Sequence, residues 1–288
     1  MENTGLITLE YVNTVIKERP REIHKGQCGR VLIVAGSVGM AGAAALSARG
    51  ALKSGAGLVQ LSVPWELYPI LQVLVPQVTC LCTHEELSSR SLENYDSIAI
   101  GPGLGVDEKN YRLIEDILKR YKGPVVLDAD ALNTTCQYSP KLSMIRDREG
   151  EVIITPHPGE GDRLLKALGE KSIRETGRCT AAELLGRKTG AAVLLKGAGT
   201  VVTMTGRGTY INTTGNPGMA TGGSGDVLTG VIASLAAWEI EPFDAAKAGA
   251  FVHGMAGDIA AQRLGQWGMT SVDIEESLPA AFKKIIGK

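Results

Sequence analysis

The sequence has little of what several broad classes of protein require. Its five cysteines are an odd number with no Cys-x-x-Cys pair, so neither a disulfide framework nor a redox motif is indicated. No apolar run approaches the roughly 18 residues of a transmembrane helix. The N-terminus lacks the basic and apolar regions of a signal peptide. We therefore expect a cytoplasmic protein with reduced thiols and no contact with a membrane.

Aromatic residues are also few, and the net charge is close to zero. Phe, Trp and Tyr make up 5% of the chain, too few for a surface that stacks single-stranded bases. The 30 Lys and Arg against 31 Asp and Glu give a net charge of -1, whereas a dedicated nucleic-acid binder has a basic excess. We therefore expect no nucleic-acid partner, and the 44% hydrophobic content is enough for a sizeable core.

Glycine, by contrast, is abundant, with 36 residues in 288, clustered beside short apolar runs. Helical patterns separate those runs, which is typical of a parallel sheet covered by helices on both faces. We expect a single α/β domain over residues 1–288 with a mostly parallel central sheet of about eight or nine strands. Predicted strands cover 30–36, 58–63, the VTCLCT segment, 97–100, 124–128, 151–155, 192–197 and a hairpin over 201–212. In such a sheet ligands bind beyond the carboxyl ends of the strands, where the glycine clusters fall.

The strongest motif is TGGSGDVLTGVIASLAAW, residues 221–238. Apolar residues recur at helical spacing from Val227 onward, so a helix is predicted to start near Asp226. Glycines leave backbone amides uncovered and a helix N-terminus carries partial positive charge, so the preceding loop is predicted to bind phosphate. Its anion hole would consist of Gly222, Gly223, Ser224 and Gly225. Asp226 could take a proton from an attacking hydroxyl there, or it could merely cap the helix.

A second motif, LKGAGT at residues 195–200, follows a predicted strand. Its lysine, its backbone amides and the hydroxyl of Thr200 could hold the phosphate or ribose of a nucleotide. The alternative is an ordinary approach to a hairpin with a solvated lysine.

Two further motifs also follow buried strands. Asp128 and Asp130 in VVLDADALN could hold Mg²⁺ directly or through water, because this ion prefers carboxylates plus phosphate oxygens. Asn133 could contact a substrate, while helix capping by Asp130 explains the acidic pair equally well. His157 lies between two prolines that fix its backbone, which suits a ligand contact, although a lone histidine is more often structural.

The GPGLG run at residues 101–105 imitates a dinucleotide-binding fingerprint. Val106 stands where the third glycine of G-x-G-x-x-G is required, and the chain also lacks G-x-x-x-x-G-K-[ST]. A dehydrogenase is therefore disfavoured, and phosphate binding is assigned to the GGSGD loop.

In combination these motifs resemble a known family. GGSGD before a helix, with DADALN earlier, is similar to the ribokinase-like superfamily. The ADP/ATP-dependent NAD(P)H-hydrate dehydratase family is indicated by HKGQCGRVLIVAGS (24–37), GMAGAAALSARGALKSGAGLV (39–59), GPGLG (101–105), TPHPGE (155–160), KGAGTVV (196–202), NPGMATGGSGDVLTG (216–230) and HGMAGD (253–258). The resemblance extends from about residue 20 to the C-terminus.

The resemblance implies a metabolite-repair reaction. Hydrated NADH or NADPH, in its S epimer, is phosphorylated on the ring hydroxyl by ADP or ATP with Mg²⁺, and phosphate then leaves to restore the dihydronicotinamide. The residues expected to contact the hydrated cofactor are Ala43, Gly105, His157 and Asp226. The residues expected to hold the nucleotide are Lys196, Gly197, Ala198, Gly199, Thr200 and Gly225.

The resemblance also implies a homo-oligomer, since the family often forms tetramers. Many members carry an epimerase domain first, whereas the match here starts almost at the N-terminus, so we expect a separate epimerase as functional partner. The family tendency in bacteria and archaea is ADP rather than ATP. Two alternatives remain: a thiazole or pyrimidine alcohol kinase of the same superfamily, and a non-catalytic nucleotide-binding regulator, which the intact Asp226 disfavours.

Overall fold

A ten-stranded sheet forms the centre of the molecule in the computed structural model, which describes residues 4–82, 87 and 91–287. The strands are β1 (Gly5–Ile7), β2 (Arg30–Val34), β3 (Leu58–Ser62), β4 (Thr79–Leu81), β5 (Ser97–Ile100), β6 (Val125–Leu127), β7 (Val152–Ile154), β8 (Ala192–Leu195), β9 (Val201–Met204) and β10 (Gly208–Asn212). Their order is β1-β10-β9-β8-β7-β6-β5-β2-β3-β4. Strand β9 is antiparallel to β8 and β10, and the other neighbours are parallel.

Helices lie between the strands and after them. Those in the described residues are α1 (Leu9–Val15), α2 (Ala41–Lys53), α3 (Tyr68–Leu74), α4 (Glu108–Arg120), α5 (Ala129–Tyr138), α6 (Ser143–Arg146), α7 (Pro158–Ala167), α8 (Ile173–Thr176), α9 (Arg178–Thr189), α10 (Ser224–Ala236), α11 (Pro242–Leu264) and α12 (Ser271–Ile286). Within these ranges no helix is both long enough and apolar enough to cross a membrane.

The predicted α/β class and the β9–β10 hairpin are confirmed, and the sheet has one strand more than predicted. The addition is β1, whose three residues pair with β10 and are too short to carry a strand pattern. The VTCLCT segment forms β4 only in part: Cys80 lies in the strand, and Cys82 follows its end. The five cysteines all lie within the described residues and none of them forms a disulfide.

The continuous apolar strands are explained by two cores, one on each face of the sheet. In β2, Val31 and Ile33 are buried in one core and Leu32 and Val34 in the other, as the two-residue period of a strand requires. Helices α2, α10, α11 and α12 cover the first face, and α4, α5, α7 and α9 cover the second.

Small residues let α2 and α10 approach closely. A side chain at Gly230 would overlap the carbonyl oxygen of Ser47, and one at Gly50 would overlap that of Val227. The alanine-rich composition of α2 therefore matches its place against α10. This contact holds the N-terminal end of α10 at the edge of the sheet where the sequence places the site.

Candidate active site

The carboxyl ends of four parallel strands bring the predicted site residues to one edge of the sheet. Backbone hydrogen bonds continue the ladder beyond the strands: the amide of Asp128 donates to the carbonyl of Ile100 at 3.1 Å, and that of Thr155 to Leu127 at 3.1 Å. The amide of Lys196 then donates to the carbonyl of Pro156 at 2.9 Å. The chain segments that leave β6, β7 and β8 therefore start side by side, as the fold class predicts.

The N-terminus of α10 faces this edge, and the helix begins at Ser224, two residues before the predicted start. Its N-cap is Gly223, which has φ +86 and no side chain to accept a hydrogen bond from the first amides of the helix. A side chain at Gly223 would also overlap Leu46. Asp226 thus lies inside the first turn rather than at the cap, and the capping alternative is wrong.

One ion pair ties β6 and β8 to α10. The ammonium of Lys196 lies 2.7 Å from Oδ1 of Asp128, and the hydroxyl of Thr229 donates to Oδ2 of Asp128 at 2.6 Å. Asp128 is 1% exposed. A Cβ added at Gly225 would lie 3.3 Å from the Lys196 ammonium, so the first turn of α10 comes close to the lysine. Lys196 is therefore held in an ion pair, and the alternative interpretation of LKGAGT, which has a solvated lysine, is wrong.

Asp226 shares this lysine with other carboxylates. Burial, reinforced by the charge of Asp128 and opposed by Lys196, raises the pKa of Asp226 to about 6. Burial alone would lower the pKa of Lys196, but the facing carboxylates of Asp128 and Glu160 outweigh it and raise the pKa above its usual range. A carboxylate with a pKa near neutrality is suited to general-base chemistry at pH 7.

Glu160 is a buried member of this cluster to which the sequence analysis gave no role. Its Oε2 lies 3.9 Å from the ammonium of Lys196 and accepts the backbone amide of His157 at 2.8 Å. Burial raises the pKa of Glu160, and Lys196 opposes that shift. The Pro-Gly-Glu that follows the histidine was a usable signal, because Glu at the third helical position completes a capping box.

His157 is the N-cap of α7. Its Nδ1 accepts the amide of Gly159 at 3.0 Å, and its Nε2 lies 3.3 Å from Oε1 of Glu160. The side chain is 50% exposed. His157 therefore has a structural role as a helix cap. Half of its side chain is still exposed, next to the carboxylates that surround Lys196.

Asp130 and Asn133 connect α5 to the GPGLG loop and to α7. The amide of Gly105 donates to Oδ2 of Asp130 at 2.8 Å, and Arg163 donates to Oδ1 of Asn133 at 2.9 Å. The N-cap of α5 is Asp128, so capping by Asp130 is also wrong. Asp130 instead fixes the glycine loop that carries Gly105, one of the predicted substrate contacts.

The acidic pair does not fit a magnesium site formed by the protein alone. Both oxygens of Asp128 have partners, in Lys196 and Thr229, and Asp130 accepts the Gly105 amide. In the part of the chain that the structure describes, no three His, Cys, Asp or Glu side chains are grouped to hold a metal. Direct coordination of Mg²⁺ by Asp128 would require Asp128 to break its ion pair with Lys196.

Ala43 lies in the first turn of α2, against the GPGLG loop. A Cβ added at Gly103 would lie 2.9 Å from the Cβ of Ala43, and Gly103 has φ +61. Ala43 is buried, and the GPGLG loop is among the groups that cover it. Of the predicted substrate contacts, Ala43 therefore packs against the loop that carries Gly105.

The KGAGT loop is held by Arg178, a residue that the sequence analysis missed. Its guanidinium donates to the carbonyls of Leu195 at 3.1 Å and Lys196 at 3.3 Å, and also to that of Ala198. Thr200 donates its hydroxyl to the carbonyl of Gly197 at 3.1 Å. The carbonyls of Lys196, Gly197 and Ala198 in the loop are thereby occupied. Because Arg178 begins a separate helix, α9, no local pattern could have linked it to this loop.

A mostly parallel sheet with a helix N-terminus and a buried carboxylate at its carboxyl edge defines a ribokinase-like α/β protein. The profile of the NAD(P)H-hydrate dehydratase family matches residues 31–280. The chain therefore belongs to that family.

Individual proteins similar to this chain support the family assignment. The chain is 40% identical to the bifunctional NAD(P)H-hydrate repair enzyme Nnr of Moorella thermoacetica, over 98% of this chain and 54% of that protein. It is 36% identical to the ADP-dependent (S)-NAD(P)H-hydrate dehydratase of Neisseria meningitidis, over 87% and 83%. The ADP/ATP-dependent NAD(P)H-hydrate dehydratase of Bacillus subtilis, co-crystallised with ATP and Mg²⁺, has a TM-score of 0.86 at 32% identity, covering 98% and 99%. The chain spans about half the length of the bifunctional relatives it matches.

Proposed function

We propose that this protein dehydrates the S epimer of hydrated NADH or NADPH, with ADP or ATP as phosphoryl donor. The observation that carries the proposal is the half-buried carboxylate of Asp226, with its raised pKa, inside the first turn of α10, whose N-cap glycine has no side chain. Membership of the dehydratase family and the likeness to the dehydratases of Neisseria meningitidis and Bacillus subtilis support it.

Asp226 is proposed as the general base for phosphoryl transfer. It removes the proton of the ring hydroxyl, whose oxygen attacks the terminal phosphorus of the nucleotide while the bond to the departing nucleotide breaks. Phosphate then leaves the ring with the electron pair of the C–O bond, and the neighbouring ring carbon loses a proton, which restores the double bond. Phosphorylation thus converts hydroxide, a poor leaving group, into phosphate.

Positive ends of backbone dipoles are proposed to stabilise the transferring phosphoryl group. The donors are the amides of the predicted anion hole, Gly222, Gly223, Ser224 and Gly225. Such fixed donors need no reorganisation as charge develops on the phosphoryl oxygens. The ammonium of Lys196, close to the first turn of α10, adds a charge of the same sign.

The remaining site residues are proposed to bind the two small molecules. Lys196 and the loop of Gly197, Ala198, Gly199 and Thr200 would hold the nucleotide together with Gly225. Ala43, Gly105 and Asn133, with the exposed face of His157, would contact the hydrated cofactor. The link from His157 through Glu160 to Lys196 supports placing the two sets side by side, because Glu160 accepts the amide of His157 and lies 3.9 Å from the Lys196 ammonium.

Finer properties are proposed from the family resemblance. We propose one ribokinase-like domain over residues 1–288, a cytoplasmic location, a homotetramer, and dependence on an epimerase activity that supplies the S epimer. The naming of related proteins as bifunctional repair enzymes supports the last of these.

The function is tested by incubating the protein with hydrated NADH and either ADP or ATP. Recovery of the NADH absorbance supports the dehydratase. Parallel reactions with thiazole and pyrimidine alcohols test the alternative kinase, which would consume nucleotide with those alcohols and leave hydrated NADH unchanged. Binding of nucleotide without turnover of any of these compounds would indicate a regulator.

Replacing Gly199 with Val should weaken ADP binding by about tenfold or more. A β-branched residue at φ +61 has a strain energy of roughly 1–3 kcal/mol, which favours a changed conformation of the loop. Calorimetric titration with ADP measures the change. Gly206→Val is the matched control, since Gly206 has φ +78, lies in the β9–β10 turn and has open space around it. Equal ADP affinities in the two variants would remove the loop from the nucleotide site.

Replacing His157 with Ala should raise the KM for hydrated NADH more than the KM for the nucleotide, because the exposed ring face is proposed to contact the cofactor. Loss of the N-cap should also cost about 1 kcal/mol of stability. His157→Asn separates the two effects, since Asn caps helices well but lacks the ring. If Asn restores both stability and the KM for hydrated NADH, His157 is only a cap.

A further inference from the structure

The HGMAGD motif on α11, residues 253–258, has no part in the proposed chemistry, yet it lies against the chain that leads into the phosphate-binding turn. That chain, residues 213–223, is called the approach segment here. It runs from the end of β10 to the start of α10 without regular strand or helix except one short 3₁₀ turn, Pro217–Met219. Its position must therefore be fixed by contacts outside itself.

Asp258 supplies two of those contacts. Its Oδ2 accepts the backbone amide of Gly215 at 2.9 Å, and its Oδ1 accepts the side-chain amide of Asn216 at 2.9 Å. The other side-chain atom of Asn216, Oδ1, accepts the amide of Gly218 at 3.0 Å and caps the 3₁₀ turn. One carboxylate thus fixes both the backbone and the turn of the approach segment.

The two glycines of the motif let the approach segment lie directly on α11. A side chain at Gly254 would overlap Thr214, and one at Gly257 would overlap the thioether of Met219. Thr214 also donates its hydroxyl to the carbonyl of Phe251 at 2.8 Å. The helix therefore serves as a surface shaped for this segment.

The first residue of the motif reaches the far end of the segment. His253 is 7% exposed, and its Nε2 lies 3.5 Å from the hydroxyl of Ser224, the first residue of α10. Burial lowers the pKa of His253 to about 4, so the ring is neutral at pH 7 and adds no charge to the phosphate-binding turn. The motif is thus in contact with both ends of the chain between Gly215 and Ser224.

We propose that Asp258 is a positioning residue, which fixes the approach segment on α11 so that the amides of residues 222–225 face the transferring phosphoryl group. This inference rests on the proposed function. Asp258 does not touch the reacting atoms. It acts through Gly215 and Asn216, and a displacement of about 1 Å at a reacting centre can cost about 10²-fold in rate.

The chain offers a swap that tests this role. In Asp258→Asn the new amide can accept from Gly215 or from Asn216, but not from both, so one donor is left facing another donor. In the double variant Asp258→Asn with Asn216→Asp, the amide at 258 accepts from Gly215 and donates to the carboxylate at 216. That carboxylate also caps the 3₁₀ turn as Asn216 does, so both contacts are restored.

We expect Asp258→Asn to lower kcat by about tenfold to a hundredfold at a temperature well below its Tm, with the double variant recovering most of the loss. Amide hydrogen exchange of residues 222–226 should quicken in the single variant and slow again in the double one. A kcat within twofold of wild type, or exchange unchanged in both variants, would overturn the proposal. A loss of kcat without rescue by the swap would also overturn it.

The exchange measurement keeps this test separate from that of the proposed function. If the wild-type protein does not dehydrate hydrated NADH, the proposed function fails on that result alone. The exchange rates of residues 222–226 in the two variants then still decide whether Asp258 positions the turn.

Discussion

Replacing Asp226 with Asn should lower kcat for dehydration of hydrated NADH by at least about two orders of magnitude. Asn has nearly the same size and can still receive hydrogen bonds, but it cannot take the proton of the ring hydroxyl. The amides of the proposed anion hole are unchanged in this variant, so some turnover should persist. Steady-state kinetics at saturating nucleotide measure the loss.

Two properties should not deteriorate in this variant. Affinity for the nucleotide should be close to wild type, because the KGAGT loop and Lys196 are untouched. The raised pKa of Asp226 means that its ionised form is disfavoured in the folded state, so this carboxylate destabilises the protein progressively as the pH rises above its ordinary value of 3.8, and to the full extent above about pH 6. The Tm of Asp226→Asn above pH 6 should therefore equal or exceed that of wild type. A near-normal kcat would refute the general-base role.

The same carboxylate sets the expected pH dependence of the wild-type enzyme. Only the ionised form of Asp226 can accept a proton, so kcat/KM should fall as the pH decreases through about 6. Asp226→Asn should lack this acid limb.

Replacing Lys196 with Met should cost about 3–5 kcal/mol of folding free energy at pH 7, because the buried carboxylate of Asp128 loses its counter-charge. Lys196 also lowers the pKa of Asp226, so the acid limb of residual activity should move to higher pH. Urea unfolding measures the first effect and the pH profile of kcat/KM the second.

The double variant Lys196→Met with Asp128→Asn is the control for this ion pair. The amide introduced at position 128 carries no charge and can still accept the hydroxyl of Thr229, so the double variant should be more stable than Lys196→Met alone. A loss below about 1 kcal/mol in Lys196→Met, or no recovery in the double variant, would show that the pair is not coupled as its 2.7 Å separation indicates.

The elements with strong local patterns could be predicted from the sequence. Strand β5 has the predicted bounds, since SIAI is apolar and ends at a glycine. The turn of α10 lies where glycines meet a helical pattern, although the helix starts two residues earlier because Gly223 rather than Asp226 takes the cap position. Strand β1 was missed because pairing with β10, and not its own three residues, makes it a strand.

The partnerships of the charged site residues could not be predicted. Lys196 and Asp128 are 68 residues apart, and Thr229 joins them from a third element. Asp130 accepts an amide from the GPGLG loop, 25 residues earlier, instead of capping its own helix. These contacts depend on the order of strands in the sheet, which no local spacing records.

The most direct test of the account is the balance of products formed by the wild-type protein from hydrated NADH and ADP. NADH, inorganic phosphate and AMP should appear in equal amounts, and Asp226→Asn should slow all three together. Cleavage of ADP without recovery of NADH, or phosphorylation of a thiazole or pyrimidine alcohol while hydrated NADH is left unchanged, would contradict it.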